Sequence, residues 1–328
     1  MHPLKRQLKW WANALFFRAY RYRRIERRHL LPHYTPDSPL SSASEPSLIL
    51  MYDGRRKHGG LADRLRAAIY FYTLAVAHGR RFRINFTFPF QLETYLVPNT
   101  YDWRLRPGEL TYNPRQARPF YTDTIAITGP RETRWQLDYA LSILNQPVQQ
   151  LHVYSPFVCS DADFSRCFHQ LFRPSPLLEE ALGPHRRALG SHYISVSTRF
   201  MELLGDFREP KTEHHLTPEQ QLQLIARCRE KLIEIHTSIH PDTKILLTSD
   251  SQRFLDACRD LPWVYIVDGQ IAHTDTPETS DHLKTFLDFW LITEATEVYQ
   301  LQTSLMYAGN FSLRAALASS RPHHLITF

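Results

Sequence analysis

The chain is poor in glycine and in cysteine: its 328 residues include 11 Gly, against 19 Phe and 16 Tyr, and 4 Cys. So little glycine excludes collagenous, linker-rich and low-complexity architectures and favours packed aromatic layers. Cys159, Cys167, Cys228 and Cys258 form no CxxC pair and lie in no histidine-rich ligand pattern. Neither a zinc site nor a disulfide framework is suggested, and reduced thiols are expected. No apolar run approaches the roughly 20 residues of a membrane-spanning helix, and the N-terminus has no signal-peptide h-region, so a cytoplasmic chain is expected. A fixed-period repeat, a P-loop, an Asp-x-Asp metal motif and a recognisable Ser-His-Asp or Cys-His nucleophile order are all missing. Hydrolase and metal-dependent transferase chemistry lose ground accordingly. His214-His215 and His323-His324 lack a third ligand at metal spacing and read as solvated loop or tail, so no metal residue is assigned.

What is present fits two globular domains: 43% of residues are hydrophobic and 22% charged. The net charge of +6 is uneven, since residues 1–28 carry nine Lys/Arg and one Glu, or +8, and the remainder sums to −2. In that segment Leu4, Leu8, Trp11, Leu15 and Tyr22 share one helical face, opposite Lys5, Lys9, Arg23, Arg24, Arg27 and Arg28. Such a basic amphipathic helix, with Trp10 and Trp11, suits an anionic membrane surface and a peripheral position at the inner membrane face. A helix packed on the body, or partly disordered residues preceding the fold, is the favoured account and needs no partner. No zinc-finger, homeodomain or RNP pattern accompanies it, so no nucleic-acid partner is expected.

After a Pro/Ser-rich linker or surface-hugging loop at 31–47, strands alternate with helical periodicity. Leu48–Tyr52 reads as a strand, the polar run 53–60 as a loop and Leu61–Val76 as a helix. Further strands are expected at 81–88, 124–127 and 151–154. The second half reads as strands at 193–196, 244–248, 263–267 and 298–301, with helices at 218–235, 252–258, 282–293 and 304–318. Strands joined by helical crossovers form parallel sheets. The pattern predicts an α/β protein in three parts: residues 1–47, a first Rossmann-like doubly wound domain over 48–185, and a second over 186–328, joined where Gly183–Ser191 breaks the apolar pattern. Two such domains facing across a cleft would put their strand-to-helix loops against a ligand.

Four loops carry unusual chemistry. Gly59 and Gly60, followed by Asp63 and Arg64, expose amides at a helix start that suits polar or anionic groups; a tight turn with a solvated Arg64 is the plainer account. After the strand at 193–196 come Ser197, Arg199, Glu202 and Asp206. An arginine there can aim its fork at a diphosphate and neutralise a leaving nucleoside diphosphate, or simply pair with Glu202 or Asp206 at the surface. Ser249, Asp250 and Ser251 follow the next strand; the carboxylate can accept two hydrogen bonds from guanine, and any of the three can cap a helix. Gly309, Asn310 and Ser312 lie at a fourth strand-to-helix passage, again phosphate-competent or merely a cap. Just before it, Lys284 and Asp288 read as an ordinary surface pair.

Taken together and in order, these loops resemble the fucosyltransferase superfamily of GT-B fold, which includes α1,2-, α1,6- and protein O-fucosyltransferases and bacterial nodulation-factor enzymes. GGLADRLRAAIYFYTLAVAHGR resembles the early glycine loop and helix of that family, STRFMELLGD its HxRxGD motif, LLTSDS its TSD segment, and FLDFWLITEATEVYQLQTSLMYAGNFSLRAA its closing helix, strand and turn. Ser197 stands where the family has histidine, and Ala62-Asp63 where Gly-Asn is usual. The resemblance implies an inverting transferase that moves L-fucose from GDP-fucose to a hydroxyl of a cell-surface glycan or precursor, with no metal cofactor. It implies Arg199 at the donor β-phosphate, Asp250 at guanine, and Ser249, Ser251 and the turn at Gly309–Ser312 on phosphate, base or ribose. Asp63, Glu202 and Asp206 are candidates for the base that removes the acceptor proton. Another nucleotide-sugar donor, or a binding protein that has lost its chemistry, would keep the same fold.

Overall fold

The computed structural model describes residues 17–123, 129–206, 216–269, 271 and 282–328. It divides the chain into two compact units, one comprising Met1–Leu92 and Pro98–Asp163, the other Glu93–Val97 and Phe164–Phe328. Residues 1–16, which hold most of the basic amphipathic segment, fall outside the described residues, as do the expected strand at 124–127 and the His214-His215 pair.

In the first unit, helix α1 (residues 17–25) runs into a π-helical turn at Glu26–Leu30 and a 3-10 turn at Leu31–His33. It is docked rather than loose. The buried Tyr22 hydroxyl donates to Asp123 at 2.7 Å, and buried Glu26 accepts from the Tyr121 amide at 2.9 Å. The following Pro/Ser-rich chain hugs the surface: Asn113 Nδ2 donates to the carbonyls of Pro36 and Ser38, both at 2.9 Å. Strand β1 (Ser47–Tyr52) leads through the loop to α2 (Leu61–Ala77) and β2 (Arg81–Phe86). Beyond β3 (Leu96–Pro98), the unit continues with β4 (Ala117–Tyr121), α3 (Pro130–Leu144), β5 (Gln150–Tyr154) and α4, which starts at Asp161 and ends at Leu171. Its sheet has the order β2-β1-β5-β4 with every pairing parallel. All residues of β1 and β5 are buried, as a strand covered on both faces requires, which is why both were legible as continuous apolar runs.

The second unit adds β6 (Phe172–Pro174), which pairs with β3, and α5 (Pro176–Leu189). Then follow β7 (Tyr193–Thr198), α6 (Pro218–Thr237), β8 (Lys244–Ser249), α7 (Gln252–Asp256), β9 (Val264–Tyr265), α8 (Leu283–Glu294), β10 (Val298–Gln302), α9 (Phe311–Ala318) and β11 (His323–Thr327). Its sheet, β11-β10-β7-β8-β9, is also parallel throughout. Glu93–Val97 belongs here because Tyr95 stacks on Phe286 at 4.4 Å and Ser175 Oγ donates to the Thr94 carbonyl at 2.7 Å. The core between sheet and helices holds Val196, Phe200, Leu224, Leu232, Leu247 and Phe254, each such side chain contributing about 1.5–3 kcal/mol on burial.

Four expectations need correction. Gly183–Leu189 is helical, the second half of α5, with Ser175 capping its start and Arg186 bridging Glu179 and Glu294 across Pro184. The helix expected from 304 begins only at Phe311, because Met306 N donates to the Thr303 carbonyl and Leu305 N to Thr303 Oγ1, a side-chain turn that competes with helix. Lys284 and Asp288 are no surface pair: they form a buried ion pair of 2.8 Å on a helix enclosed on nearly all sides. His323 and His324 lie on β11 rather than in a tail, with the His324 ring stacked on Tyr299 at 4.7 Å.

Candidate functional site

In an open parallel sheet, ligands bind beyond the carboxyl ends of the strands where the chain reverses its direction of winding. In the second unit β7, β8 and β9 wind one way and β10 and β11 the other, so the reversal lies between β7 and β10. Arg199 is the first residue after β7. Its surroundings are built by the loops after β8 and β10.

On the β8 side the paired strand ends are tied by hydroxyls. Ser197 Oγ and Thr248 Oγ1 are 2.7 Å apart, and Thr198 Oγ1 donates to Ser249 Oγ at 2.9 Å, both pairs being neighbours in the β7–β8 register. The next residue, Asp250, turns back on the chain: its carboxylate accepts from the amides of Phe200 at 2.7 Å and Met201 at 2.8 Å. Met201 sits at φ 54, a left-handed conformation that costs a non-glycine residue about 1–2 kcal/mol and persists because Asp250 holds it. Successive amides in such a turn form a nest for an anion, and here the nest is filled by the protein's own carboxylate. Burial pushes the Asp250 carboxyl above the usual range, against the opposing pull of Arg199 and of the two amides. Ser251 caps α7 by accepting from Phe254 N at 3.2 Å and also donates to Asp206 Oδ2 at 2.8 Å; Asp206 further accepts from Arg253 N.

The consequence falls on Arg199. Asp206 is engaged elsewhere, and among the described residues the Arg199 guanidinium has neither a hydrogen bond nor an ion pair, its Nε being buried without an acceptor. The surface-pair reading of this residue therefore fails. Its charge lies over the Tyr307 ring, 5.6 Å from the centroid, and close enough to Asp250 to act on it. Gly309 makes room for it: a Cβ there would stand 2.9 Å from Arg199 Cδ, nearer than real contacts allow. Asn310 is the N-cap of α9 without a side-chain cap bond, whereas Ser312 turns inward and its hydroxyl meets Gln300 Oε1 at 3.2 Å. Glu202 is buried.

In the first unit, Gly60 is the N-cap of α2, and Gly59 packs against Asp63, where a Cβ would come within 3.0 Å of Oδ2. Asp63 is half exposed in the first turn. Arg64, expected to be solvated or to face a ligand, is instead buried: Nε donates to the Gly59 carbonyl at 2.8 Å and Nη1 to the Phe88 carbonyl at 2.7 Å, with the charge over the rings of Tyr52 and Phe86. It shapes the glycine loop.

Sequence reasoning missed the residues at the reversal of this sheet, which lies between β1 and β5. Asp53, directly after β1, accepts from Arg55 Nη1 at 2.7 Å and from the Tyr154 hydroxyl at 2.9 Å. Arg55 lies over the Tyr112 ring at 4.3 Å, Arg56 over Tyr121 at 4.9 Å. Buried His58 stands edge-on to Tyr52 at 5.0 Å, and burial, with Arg64 and Arg56 alongside, lowers its pKa from 6.5 to about 3. The signal was present in the unbroken polar run Asp53-Gly54-Arg55-Arg56 after a buried strand, but Tyr154 is 101 residues away in sequence.

No protein-family model matches the chain, and no curated protein does. Solved structures do match. An α-1,6-fucosyltransferase NodZ soaked with GDP-fucose superposes with a TM-score of 0.56 at 13% identity, covering 87% of this chain and 95% of its own. FUT1 of Arabidopsis thaliana in complex with GDP gives 0.55 at 11% identity over 90% of this chain and 72% of its own. POFUT1 in complex with GDP gives 0.52 at 13% identity over 88% and 99%. The class is thus settled at the level of fold: an α/β protein of two Rossmann-like units with the architecture of the GT-B fucosyltransferases. NodZ, FUT1 and POFUT1 are the fucosyltransferases to which the fold is similar, in line with the family resemblance expected from the sequence.

Proposed function

We propose that the chain is a glycosyltransferase that moves L-fucose from GDP-fucose to a hydroxyl of a cell-surface glycan or precursor, with inversion and with Arg199 in place of a metal. The observation that carries this reading is the Arg199 guanidinium, held over Tyr307 at the reversal of the second sheet with none of its donors spent among the described residues. In the step it supports, the acceptor oxygen bonds to the anomeric carbon as the bond from that carbon to the β-phosphate oxygen breaks. The electron pair departs with GDP, and the acceptor proton goes to a base. Negative charge grows on the β-phosphate, so a fixed guanidinium is worth more in the transition state than in the ground state. Of the candidate bases, Asp206 is committed to Ser251 and Arg253, and Asp63 is the half-exposed carboxylate beside the glycine loop, 3.6 Å from Arg66 Nη1. GDP-fucose supplies the donor, a glycan hydroxyl the acceptor, and the exposed arginines 21, 23, 24, 27 and 28 a means of staying near an anionic membrane surface. No helix among the described residues is long and apolar enough to cross a membrane.

One observation favours a second reading with another nucleotide sugar: each Asp250 oxygen already accepts a backbone amide, so only its remaining lone pair is left for guanine. Release of nucleoside diphosphate from GDP-fucose, and from UDP- and ADP-sugars, over a panel of glycans tests both. GDP release that depends on GDP-fucose and an acceptor supports the first reading, release from a different donor the second, and nucleotide binding without any release overturns the transferase.

A further inference from the structure

The loop between β1 and α2 holds one half-buried guanidinium without an internal pair, next to the exposed Lys57. Arg55 is neutralised by Asp53, and Arg64 is committed to carbonyls and rings. Burial works against the charge of Arg55, but the Tyr154 and Tyr112 hydroxyls and Asp53 more than offset it, so this guanidinium is a fixed part of the wall. Arg56 has no such partner. It rests on the Tyr121 ring, its Nε is buried without an acceptor, and among the described residues it makes no hydrogen bond and no ion pair. A guanidinium left so at the winding reversal of a parallel sheet is a strong site for an oxyanion, which it can grip with two parallel N–H donors.

A second observation in the same loop points to a ligand. His58 is 7% exposed, and its Nε2 is buried without a partner, close enough to Arg56 for the two to interact electrostatically. A buried ring nitrogen left unpaired costs about 1–3 kcal/mol unless something arrives to bond it. With a pKa of about 3 the ring stays neutral, so it offers one donor and one acceptor and is no proton store. A sugar hydroxyl next to an anionic group meets both needs.

We infer that the β1–α2 loop is a subsite for an acidic sugar, with Arg56 binding a carboxylate or phosphate carried by the acceptor and His58 bonding a neighbouring hydroxyl. This deepens the transferase reading, on which it rests for the bound sugar being the acceptor. Both anions share the chemistry that a guanidinium recognises, and the probes separate them.

The full chain is titrated, with GDP present, with methyl glucoside, methyl glucuronide and glucose 6-phosphate, binding being followed by ligand-observed NMR. Wild type is expected to bind at least one charged hexose about tenfold or more tighter than the neutral one. Tighter glucuronide assigns the carboxylate, tighter phosphate the phosphate. Arg56→Gln should bring the charged hexoses to the level of methyl glucoside and leave GDP affinity unchanged, while Arg56→Lys keeps part of the preference. Arg199→Gln should lose GDP yet keep the preference for charge, so the failure of one site is separable from the failure of the other. Equal or absent binding of all three probes by wild type, or a preference that survives Arg56→Gln in a variant of normal melting temperature, overturns the inference.

Discussion

The two sheets solve the same problem with different materials. Beside the reversal of the second, small hydroxyls (Ser197, Thr198, Thr248 and Ser249) stitch the ends of β7 and β8 together, and Asp250 fills the turn that follows. At the reversal of the first, tyrosines and arginines do the stitching: Tyr154 on Asp53, Arg55 over Tyr112, Arg56 over Tyr121. Small polar residues keep the backbone near the surface, as close approach of a diphosphate requires, whereas aromatic faces and forked donors suit a saccharide. Beside each reversal one guanidinium, Arg56 in the first unit and Arg199 in the second, has its Nε buried without an acceptor, and ligands are expected there.

The comparison can be broken at three points in decreasing order of effect. Asp250→Asn leaves one of the two amides facing an NH2 group, so the turn at Met201 should relax at a cost of about 1–3 kcal/mol in chemical denaturation, with loss of transfer activity; unchanged stability would mean the nest does not hold the loop. Gly309→Ala should displace Arg199 and weaken GDP about tenfold without a comparable loss of stability, because the backbone at 309 is one that alanine adopts freely. The corresponding change in the first unit, Gly59→Ala, should disturb Asp63 and leave GDP binding alone; equal effects of the two on GDP would erase the distinction between the units.

The third point is pH. His58 and His152 are buried in the first unit with pKa values lowered from 6.5 to about 3, burial being the main cause for both. Their unfolded forms take up protons below about pH 6.5 while the folded forms do not, so the stability they lend is complete above that pH. It is lost as pH falls from 6.5 toward 3, at no more than about 1.4 kcal/mol per pH unit for each histidine. Denaturation series across this range should show His152→Gln with a shallower acid slope than wild type; an unaltered slope would contradict the burial argument.

Much of this was legible in the sequence because parallel strands covered on both faces are continuous apolar runs, as at Leu48–Tyr52 and Tyr193–Val196. Arg199 was found by its place after such a run. The inward turn of Ser312, the burial of Arg64 and the use of Asp250 as a backbone clamp were not legible. Each depends on a partner supplied by another strand or loop, and local periodicity carries no information about what lies across a sheet. The same holds for α5, whose Gly183-Pro184 reads as a break although Ser175, Glu179 and Glu294 hold the helix together around it.

The claim on which the account turns is that the unpaired fork after β7 grips a diphosphate. Titration calorimetry of GDP into wild type and Arg199→Ala measures it directly. The account predicts a loss of about tenfold to a hundredfold in affinity with an unchanged melting temperature of the free protein, the size expected for hydrogen bonds to a charged group. Equal GDP affinity in the two proteins would contradict it.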